Sequence, residues 1–206
     1  MRNWAARGLV GLLLGAMAVA VNPALGADLT AADKTTLKDL RAGDMRKLVV
    51  HDEARAQMDA VWRDEHGNPY QVADYEGKVV FLNFWATWCP PCLKELPSID
   101  RLAGAMEGSD FEVIALSTDR FDIERVQRVL KDGDRLQDGY RTQHLEVMQD
   151  RRGMVARQAG ALGLPVTVIL DRQGREIARL TGEAEWDSAD AQAFLKQLIE
   201  MTAPGA

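Results

Sequence analysis

The sequence predicts one α/β domain whose central sheet is partly parallel and covered by helices on both faces. Two nearly continuous apolar runs, Val79–Trp85 and Phe111–Ser117, are rich in β-branched and aromatic residues, which is typical of strands buried on both faces. Apolar residues recur at helical spacing between and after these runs, and strands that alternate with helices favour such a sheet. Residues 27–206 are enough for one domain with its own core.

The first 26 residues have the layout of a secretory signal rather than of a folded domain. Arg2 and Arg7 give a positive start, residues 8–21 are apolar and uncharged, and small residues end the segment at Gly26. Cleavage after Gly26 would release the mature protein into the periplasm. The alternative is an uncleaved membrane anchor, although the apolar run is shorter than the roughly 20 residues that span a bilayer.

Residues 27–56 are polar with apolar residues near helical spacing, and we interpret them as a helical lead-in that is broken near Gly43. Residues 57–206 then form the predicted α/β domain, which begins with a β-hairpin and contains a central insertion at about 119–157. The remaining predicted elements are a hairpin at 58–72 with its turn at 66–69, helices at 93–106 and 123–130, an edge strand at 145–148, a helix at 154–162, a second hairpin at 166–180 and a helix at 188–201.

The charge of the chain excludes one class of partner. The formal net charge is −6, and removal of the leader with Arg2 and Arg7 makes the mature protein more acidic still. The sequence contains no basic stripe, so we expect no nucleic-acid partner.

The two cysteines, Cys89 and Cys92, are the strongest chemical signal. A disulfide between them would close a minimal loop, and the stabilisation by a disulfide grows with loop length, so a structural role is disfavoured. The pair stands where a buried strand passes into a helix, and free N–H groups at a helix start favour a thiolate at Cys89. Cys92, one turn further in, would resolve the mixed disulfide that Cys89 forms with a substrate. Pro90 and Pro91 between them suit early helical positions.

Other uses of a cysteine pair find less support in the sequence. A zinc site needs further Cys or His ligands, but His51, His66 and His144 are scattered singly. No histidine is placed near Cys89 for a Cys–His hydrolase. A Cu(I) carrier that uses the two thiolates stays open as the alternative, and a peroxidase is a weaker one.

The motif of residues 84–92, followed by Glu95 and Pro97, resembles the TlpA/ResA branch of exported thiol–disulfide oxidoreductases in the thioredoxin superfamily. The similarity runs from about residue 58 to the C-terminus and includes residues 76–80 and 163–165. Residues 182–186 resemble TlpA proteins in particular. The resemblance implies a thioredoxin-like fold with a mixed central sheet flanked by helices.

The resemblance also implies roles for individual residues. Pro165 would be a cis-proline that faces the redox pair, and it would place the Leu164 backbone beside Cys89 to bind substrate. Glu95 would influence the pKa values of the cysteines and transfer protons; otherwise it is a solvated glutamate in the first helical turn. Trp88 and Pro90 would contribute to the docking surface.

Asn83 departs from the pattern of cytoplasmic thioredoxins, which have an aspartate at this strand position. Since Asn83 cannot titrate, Glu95 is the candidate for a carboxylate that serves Cys92. The resemblance further implies a protein-disulfide reductase that needs no bound cofactor. It would act as a monomer on cysteine pairs in cytochrome c or copper-site maturation and be re-reduced by a membrane electron donor.

Overall fold

The computed structural model describes residues 26–120 and 122–205, so the predicted signal segment lies outside the described residues except for Gly26. No helix in these two ranges is both long enough and apolar enough to cross a bilayer. The helices are α1 (Ala31–Asp39), α2 (Pro90–Met106), α3 (Ile123–Asp132), α4 (Met154–Gln158) and α5 (Ala189–Met201). The strands are β1 (Val49–Arg55), β2 (Trp62–Asp64), β3 (Pro69–Tyr70), β4 (Val79–Trp85), β5 (Phe111–Ser117), β6 (Met148–Gln149), β7 (Val166–Leu170) and β8 (Glu176–Thr181).

Within the described residues the strands form one mixed sheet in the order β1-β8-β7-β4-β5-β6-β2-β3. Strands β4, β5 and β6 are parallel to one another, whereas β7 is antiparallel to β4 with Phe84 opposite Val166. The carboxyl ends of β4, β5 and β6 therefore meet at one edge of the sheet, where β7 begins. The prediction of a mixed, partly parallel sheet is confirmed.

Apolar side chains are buried on both faces of this sheet. One cluster packs β4 and β5 against α1, α2, α3 and α5, and a second packs the opposite face against α4 and the loops around β2. All seven residues of β4 are buried, because alternate side chains enter the two clusters. This explains why the run from Val79 to Trp85 is apolar except for Asn83.

The helical prediction for residues 27–56 is wrong in its last part. Helix α1 is present and a 3₁₀ turn follows at Gly43–Lys47, but residues 49–55 form the edge strand β1, in which Val50 lies opposite Ala178 of β8. Only Val50 is buried in this strand, so its polar side chains hide the alternation that identifies strands. Leu37, Met45 and Leu48 are fully buried, so the segment packs on the domain.

Two elements of the insertion are shorter than predicted. The strand predicted at 145–148 is reduced to Met148–Gln149, because the backbone N–H groups of residues 143–145 donate to the carboxylate of Asp100 instead of to a strand. The helix predicted to reach residue 162 ends at Gln158, and Gly160 beyond it has φ of +64°, which interrupts a right-handed helix. Both predicted hairpins and the C-terminal helix, capped by Ser188, are confirmed.

Candidate active site

The cysteine motif lies at the carboxyl edge of the sheet, between β4 and α2. Helix α2 begins at Pro90 and has Pro90 and Pro91 in its first turn, where their missing N–H groups leave no helical hydrogen bond unmade. Cys89 is the N-cap residue, with φ of −96° and ψ of 100°, and Cys92 lies inside the first turn. This is the strand-to-helix position that the sequence predicts for the pair.

Cys89 and Cys92 are joined by a disulfide with Cα atoms 5.3 Å apart. The backbone N–H of Cys92 donates to Sγ of Cys89 over 3.3 Å, as an N-cap side chain is expected to accept. In the reduced pair the same N–H and the positive end of the helix dipole would stabilise a thiolate at Cys89. Cys92 is fully buried and Cys89 is 4% exposed, so Cys89 is the sulfur nearer to solvent.

Pro165 lies at the same edge of the sheet as the cysteine pair. Its peptide bond with Leu164 is cis, as the resemblance implies. Val166, the next residue, pairs with Phe84, so Pro165 stands beside the point where the chain leaves β4 for the cysteines. Pro165 is buried, and half-buried Leu164 packs against both apolar clusters.

Glu95 is buried and not a solvated surface residue, one helical turn beyond Cys92. Its side chain receives hydrogen bonds from Asn83 Nδ2 at 2.8 Å, from the backbone N of Ala184 at 3.1 Å and from Trp186 Nε1 at 3.3 Å. Burial raises the pKa of Glu95 to about 7, although these donors act in the opposite direction. A carboxyl group with a pKa near 7 can both accept and release a proton at neutral pH.

Asn83 supports Glu95 from the centre of β4. Its Nδ2 also donates to Thr167 Oγ1 at 2.9 Å, while its buried Oδ1 has no hydrogen-bond partner among the described residues. Asn83 therefore brings a donor to the carboxylate without adding a second titrating group. Of these two side chains, only the carboxyl of Glu95 can take up and release a proton.

Trp88 and Pro90 flank Cys89 in the chain, and both are exposed. The Trp88 side chain is 57% exposed, which is unusual for so large an apolar residue, and Pro90 is exposed as well. Trp85, in contrast, is fully buried in the core. The structure thus presents a small apolar surface around the less buried sulfur, in the place predicted for substrate docking.

A buried carboxylate anchors the loop before Cys89, and the sequence analysis missed it. Asp119 accepts hydrogen bonds from the backbone N and the Oγ1 of Thr87, each at 2.8 Å, and from Ser117 Oγ at 2.8 Å. Asp119 follows β5, and Thr87 follows β4, so the two loops leave adjacent parallel strands. That adjacency is the signal that could have linked them.

The partners of Glu95 in residues 182–186 were also missed. Ala184 and Trp186 are 89 and 91 residues from Glu95 in the chain, and no local pattern connects them. The resemblance to TlpA singled out this segment without assigning it a role. As for metal ions, the described part of the chain contains no group of three or more His, Cys, Asp or Glu side chains that could hold one.

Comparison with known proteins agrees with this geometry. The Redoxin family model matches residues 51–195. Thiol-disulfide oxidoreductase ResA of Bacillus thuringiensis subsp. konkukian (strain 97-27) is 34% identical over 58% of this chain, and the match spans 64% of the relative, slightly under two thirds of its length. ResA of Bacillus thuringiensis (strain Al Hakam) is 31% identical over 75% of this chain and 82% of the relative.

Among solved structures, the pneumococcal exposed lipoprotein thioredoxin Etrx1 from Streptococcus pneumoniae strain TIGR4 is similar, with a TM-score of 0.54 and 26% identity. The similarity covers 68% of this chain and 99% of that one. The predicted thioredoxin-like fold is thus confirmed. With a family model matched over most of its length and a ResA relative matched over most of both chains, this chain belongs to the Redoxin family, among the ResA-like thiol–disulfide oxidoreductases.

Proposed function

We propose that the protein is an exported thiol–disulfide oxidoreductase that uses Cys89 and Cys92 to reduce cysteine pairs in other proteins of the cell envelope. The observation that carries this proposal is the disulfide at the N-terminus of α2, with Cys89 as the helix cap and Cys92 buried behind it. The cis peptide bond at Pro165 and the buried carboxyl of Glu95 lie around the same edge of the sheet and support it.

The reaction is an exchange of one disulfide for another. The Cys89 thiolate attacks a substrate disulfide, so that a bond forms between Cys89 and one substrate sulfur while the other leaves as a thiolate. The Cys92 thiolate then attacks Sγ of Cys89 and expels the second substrate sulfur. Two electrons pass to the substrate, its two sulfurs end as thiols, and the protein is left with the Cys89–Cys92 disulfide.

The second attack needs Cys92 without its proton, and burial disfavours the thiolate there. Glu95, one turn along the same helix, supplies a base, because its pKa of about 7 leaves a large fraction ionised at neutral pH. The proton passes from the Cys92 sulfur to a Glu95 oxygen and is later returned to a departing substrate thiolate or to water. Glu95 thus provides an acceptor for the proton of the buried Cys92 during the resolving step.

The substrate class follows from the resemblance and from the predicted leader. We place the protein in the periplasm, soluble or anchored by its N-terminus, acting as a monomer on cysteine pairs used in cytochrome c or cytochrome oxidase copper-site maturation. The TlpA-like residues 182–186 favour the copper-site targets. A membrane electron donor would reduce the disulfide after each turnover, and no bound cofactor is required.

Trapping of a mixed disulfide tests the proposal directly. Cys92→Ser, expressed with its leader, should accumulate a covalent complex between Cys89 and its substrate, which non-reducing electrophoresis and mass spectrometry would identify. Cys89→Ser should trap nothing, which makes it the matched control. If Cys92→Ser yields no disulfide-linked envelope protein, or the purified wild type shows no reversible two-electron couple, the proposed function is refuted.

The Cu(I)-carrier alternative uses the same two sulfurs and makes a different prediction. A carrier would bind Cu(I) stoichiometrically when reduced and would form no mixed disulfide in the Cys92→Ser trap. The absence of a third metal-ligating group among the described residues gives it no support from geometry. Copper titration of the reduced protein, read beside the trap, separates the two activities.

A further inference from the structure

Residues 182–186, which link β8 to α5, form a turn that contacts the buried carboxyl of Glu95 directly; we call them the 182–186 turn. The backbone N–H of Ala184 and the indole N–H of Trp186 both donate to Oε2 of Glu95, at 3.1 and 3.3 Å. Asn83 occupies the other oxygen, Oε1. One oxygen of the carboxylate is thus held entirely by this turn.

The indole of Trp186 has little freedom to move away from Glu95. Trp186 is fully buried, and its ring packs edge-on against Phe81 with the ring centroids 4.7 Å apart. Its backbone N–H donates to Ser98 Oγ at 3.1 Å, which ties the turn to α2 close to Glu95 itself. Packing therefore fixes the direction of the indole N–H in advance.

The outer side of the turn is clamped by the N-terminal 3₁₀ turn Gly43–Lys47. Lys47 Nζ donates to the carbonyl oxygen of Glu183 at 2.9 Å, and the backbone N–H of Glu185 donates to Asp44 Oδ2 at 3.1 Å. Lys94 of α2 forms an ion pair with Glu183. These contacts hold the 182–186 turn between the 3₁₀ turn and α2.

A small cleft of about 170 Å³ connects this region with solvent. Charged groups from three elements face Glu95 across it: the ion-paired Lys94 from α2, Glu183 and Glu185 from the turn, and Asp44 with Lys47 from the 3₁₀ turn. From the sheet side the neighbours are the neutral Asn83 and, behind it, Thr167. Cys92 lies one helical turn before Glu95 on α2. The two lysines at the rim form ion pairs with Asp44 and Glu183. The hydrogen bonds to Glu95 itself come from amide and indole N–H groups.

We propose that Trp186 is a positioning residue for the resolving step: together with the Ala184 N–H, it holds Glu95 in the ionised form that accepts the Cys92 proton. This inference rests on the proposed function, since it gives the turn a part in proton transfer within that reaction. In the step concerned, the bond between the proton and the Cys92 sulfur breaks and a bond to a Glu95 oxygen forms. No electrons are transferred in this step.

The physical reason is that an N–H donor bonds strongly to a carboxylate and weakly to the neutral acid. Loss of a hydrogen bond to the charged form shifts the equilibrium towards the neutral acid, and a shift of one pKa unit is a tenfold change in that equilibrium. Removal of the Trp186 donor should therefore raise the pKa of Glu95 by roughly one unit. The base would then be mostly protonated at neutral pH, and release of substrate would slow.

The test is Trp186→Phe in the full mature protein, with glutamate labelled by ¹³C at the side-chain carboxyl and titrated by NMR. Trp186→Phe retains an aromatic ring against Phe81 but lacks the N–H. The Glu95 titration should move upward by roughly one unit. Trp62→Phe is the matched control, because Trp62 is equally buried but its Nε1 has no hydrogen-bond partner in the described part of the chain. It should leave the Glu95 titration in place.

A second measurement needs no change at Trp186. In the wild type the Trp186 indole proton resonance should shift with an inflection at the Glu95 pKa, and in Glu95→Gln that inflection should vanish. The proposal is overturned if the indole resonance ignores the Glu95 titration, or if Trp186→Phe folds and leaves the Glu95 pKa where it was. These readouts concern Glu95 alone, so they can fail while trapping by Cys92→Ser succeeds, and the reverse.

Discussion

Burial and hydrogen bonding act in opposite directions on the carboxyl of Glu95, and burial prevails. The side chain is 2% exposed and loses nearly all of its hydration, which raises its pKa from 4.5 to about 7 in spite of the donors around it. In the folded protein Glu95 keeps its proton up to about pH 7, whereas in the unfolded chain it releases the proton near pH 4.5. Stability must therefore depend on pH through this residue.

The contribution of Glu95 to stability is fully present below pH 4.5 and is lost as the pH rises through about 7. Over that window the folded state binds more protons than the unfolded state, so the free energy of unfolding falls with increasing pH, by on the order of 3 kcal/mol. We expect Glu95→Gln to remove this slope. Urea denaturation of the oxidised wild type and variant at a series of pH values measures it.

The difference between the two proteins isolates Glu95, since every other acidic group is common to both. The Gln variant should gain stability relative to the wild type between pH 4.5 and 7 and change little above pH 8. A difference that stays flat across this range would show that Glu95 keeps its ordinary pKa in the folded protein. Its assignment as the proton acceptor would then lose its basis.

A second prediction at the scale of a single residue concerns Asp119. Asp119→Ala would leave the buried N–H and hydroxyl of Thr87 without their acceptor, two residues before Cys89. An unsatisfied buried donor costs about 1–3 kcal/mol, so we expect the free energy of unfolding to fall by about 2–3 kcal/mol. Thermal or urea unfolding measures the change. Asp134→Ala, at an exposed aspartate, should stay within about 0.5 kcal/mol, and equal losses in both would argue against the anchor.

The secondary-structure elements were predictable where their burial is simple. Strands β4 and β5 are buried on both faces, and so their sequences are mostly apolar. The charged edge strand β1 was mistaken for helix because Val50 alone enters the core. The strand near residue 148 was predicted too long, because Asp100 takes the N–H groups that a ladder would use. Both errors come from contacts that are distant in sequence.

In the candidate active site, too, local features could be predicted from the sequence and long-range contacts could not. The cysteines and their place at a helix start follow from a local motif, and the cis bond at Pro165 follows from the resemblance. The burial of Glu95 could not be derived, because it depends on Asn83 in β4 and on Trp186 beyond β8. Only the assembled sheet brings these groups together.

The N-terminal segment provides a test at the scale of an element. If α1 is part of the domain, Leu37→Ala should leave a cavity and lower the free energy of unfolding by about 2–5 kcal/mol, because Leu37 is fully buried. Leu40→Ala removes the same atoms from a side chain that is 39% exposed and should cost less than about 1 kcal/mol. Urea denaturation of the two variants, compared with the wild type, measures both losses. Equal small losses would mean that α1 is only loosely attached.

At the scale of the whole molecule, the groups of the candidate active site lie at one edge of the sheet, and the rest of the fold buries them on the inner side. The carboxyl ends of β4 and β5 bring the cysteine loop and the Asp119 anchor together, and the start of β7 adds Pro165. Cys92 is fully buried and Cys89 is slightly exposed, so a substrate meets Cys89 first. A substrate must therefore dock on the outer surface, where Trp88 is exposed.

This arrangement predicts that Trp88 matters for large substrates and little for small ones. A tryptophan that is 57% exposed beside the reactive sulfur can be buried by a docked protein, and such residues contribute about 2 kcal/mol or more at interfaces. Trp88→Ala should lower kcat/KM for a protein disulfide by roughly tenfold or more, mainly through KM, while reduction of a small aromatic disulfide changes less than about threefold. Leu40→Ala, at an exposed apolar residue away from the cysteines, should change neither. Equal losses on both substrates would instead mean that Trp88 acts on the sulfurs themselves, and the docking role would be wrong.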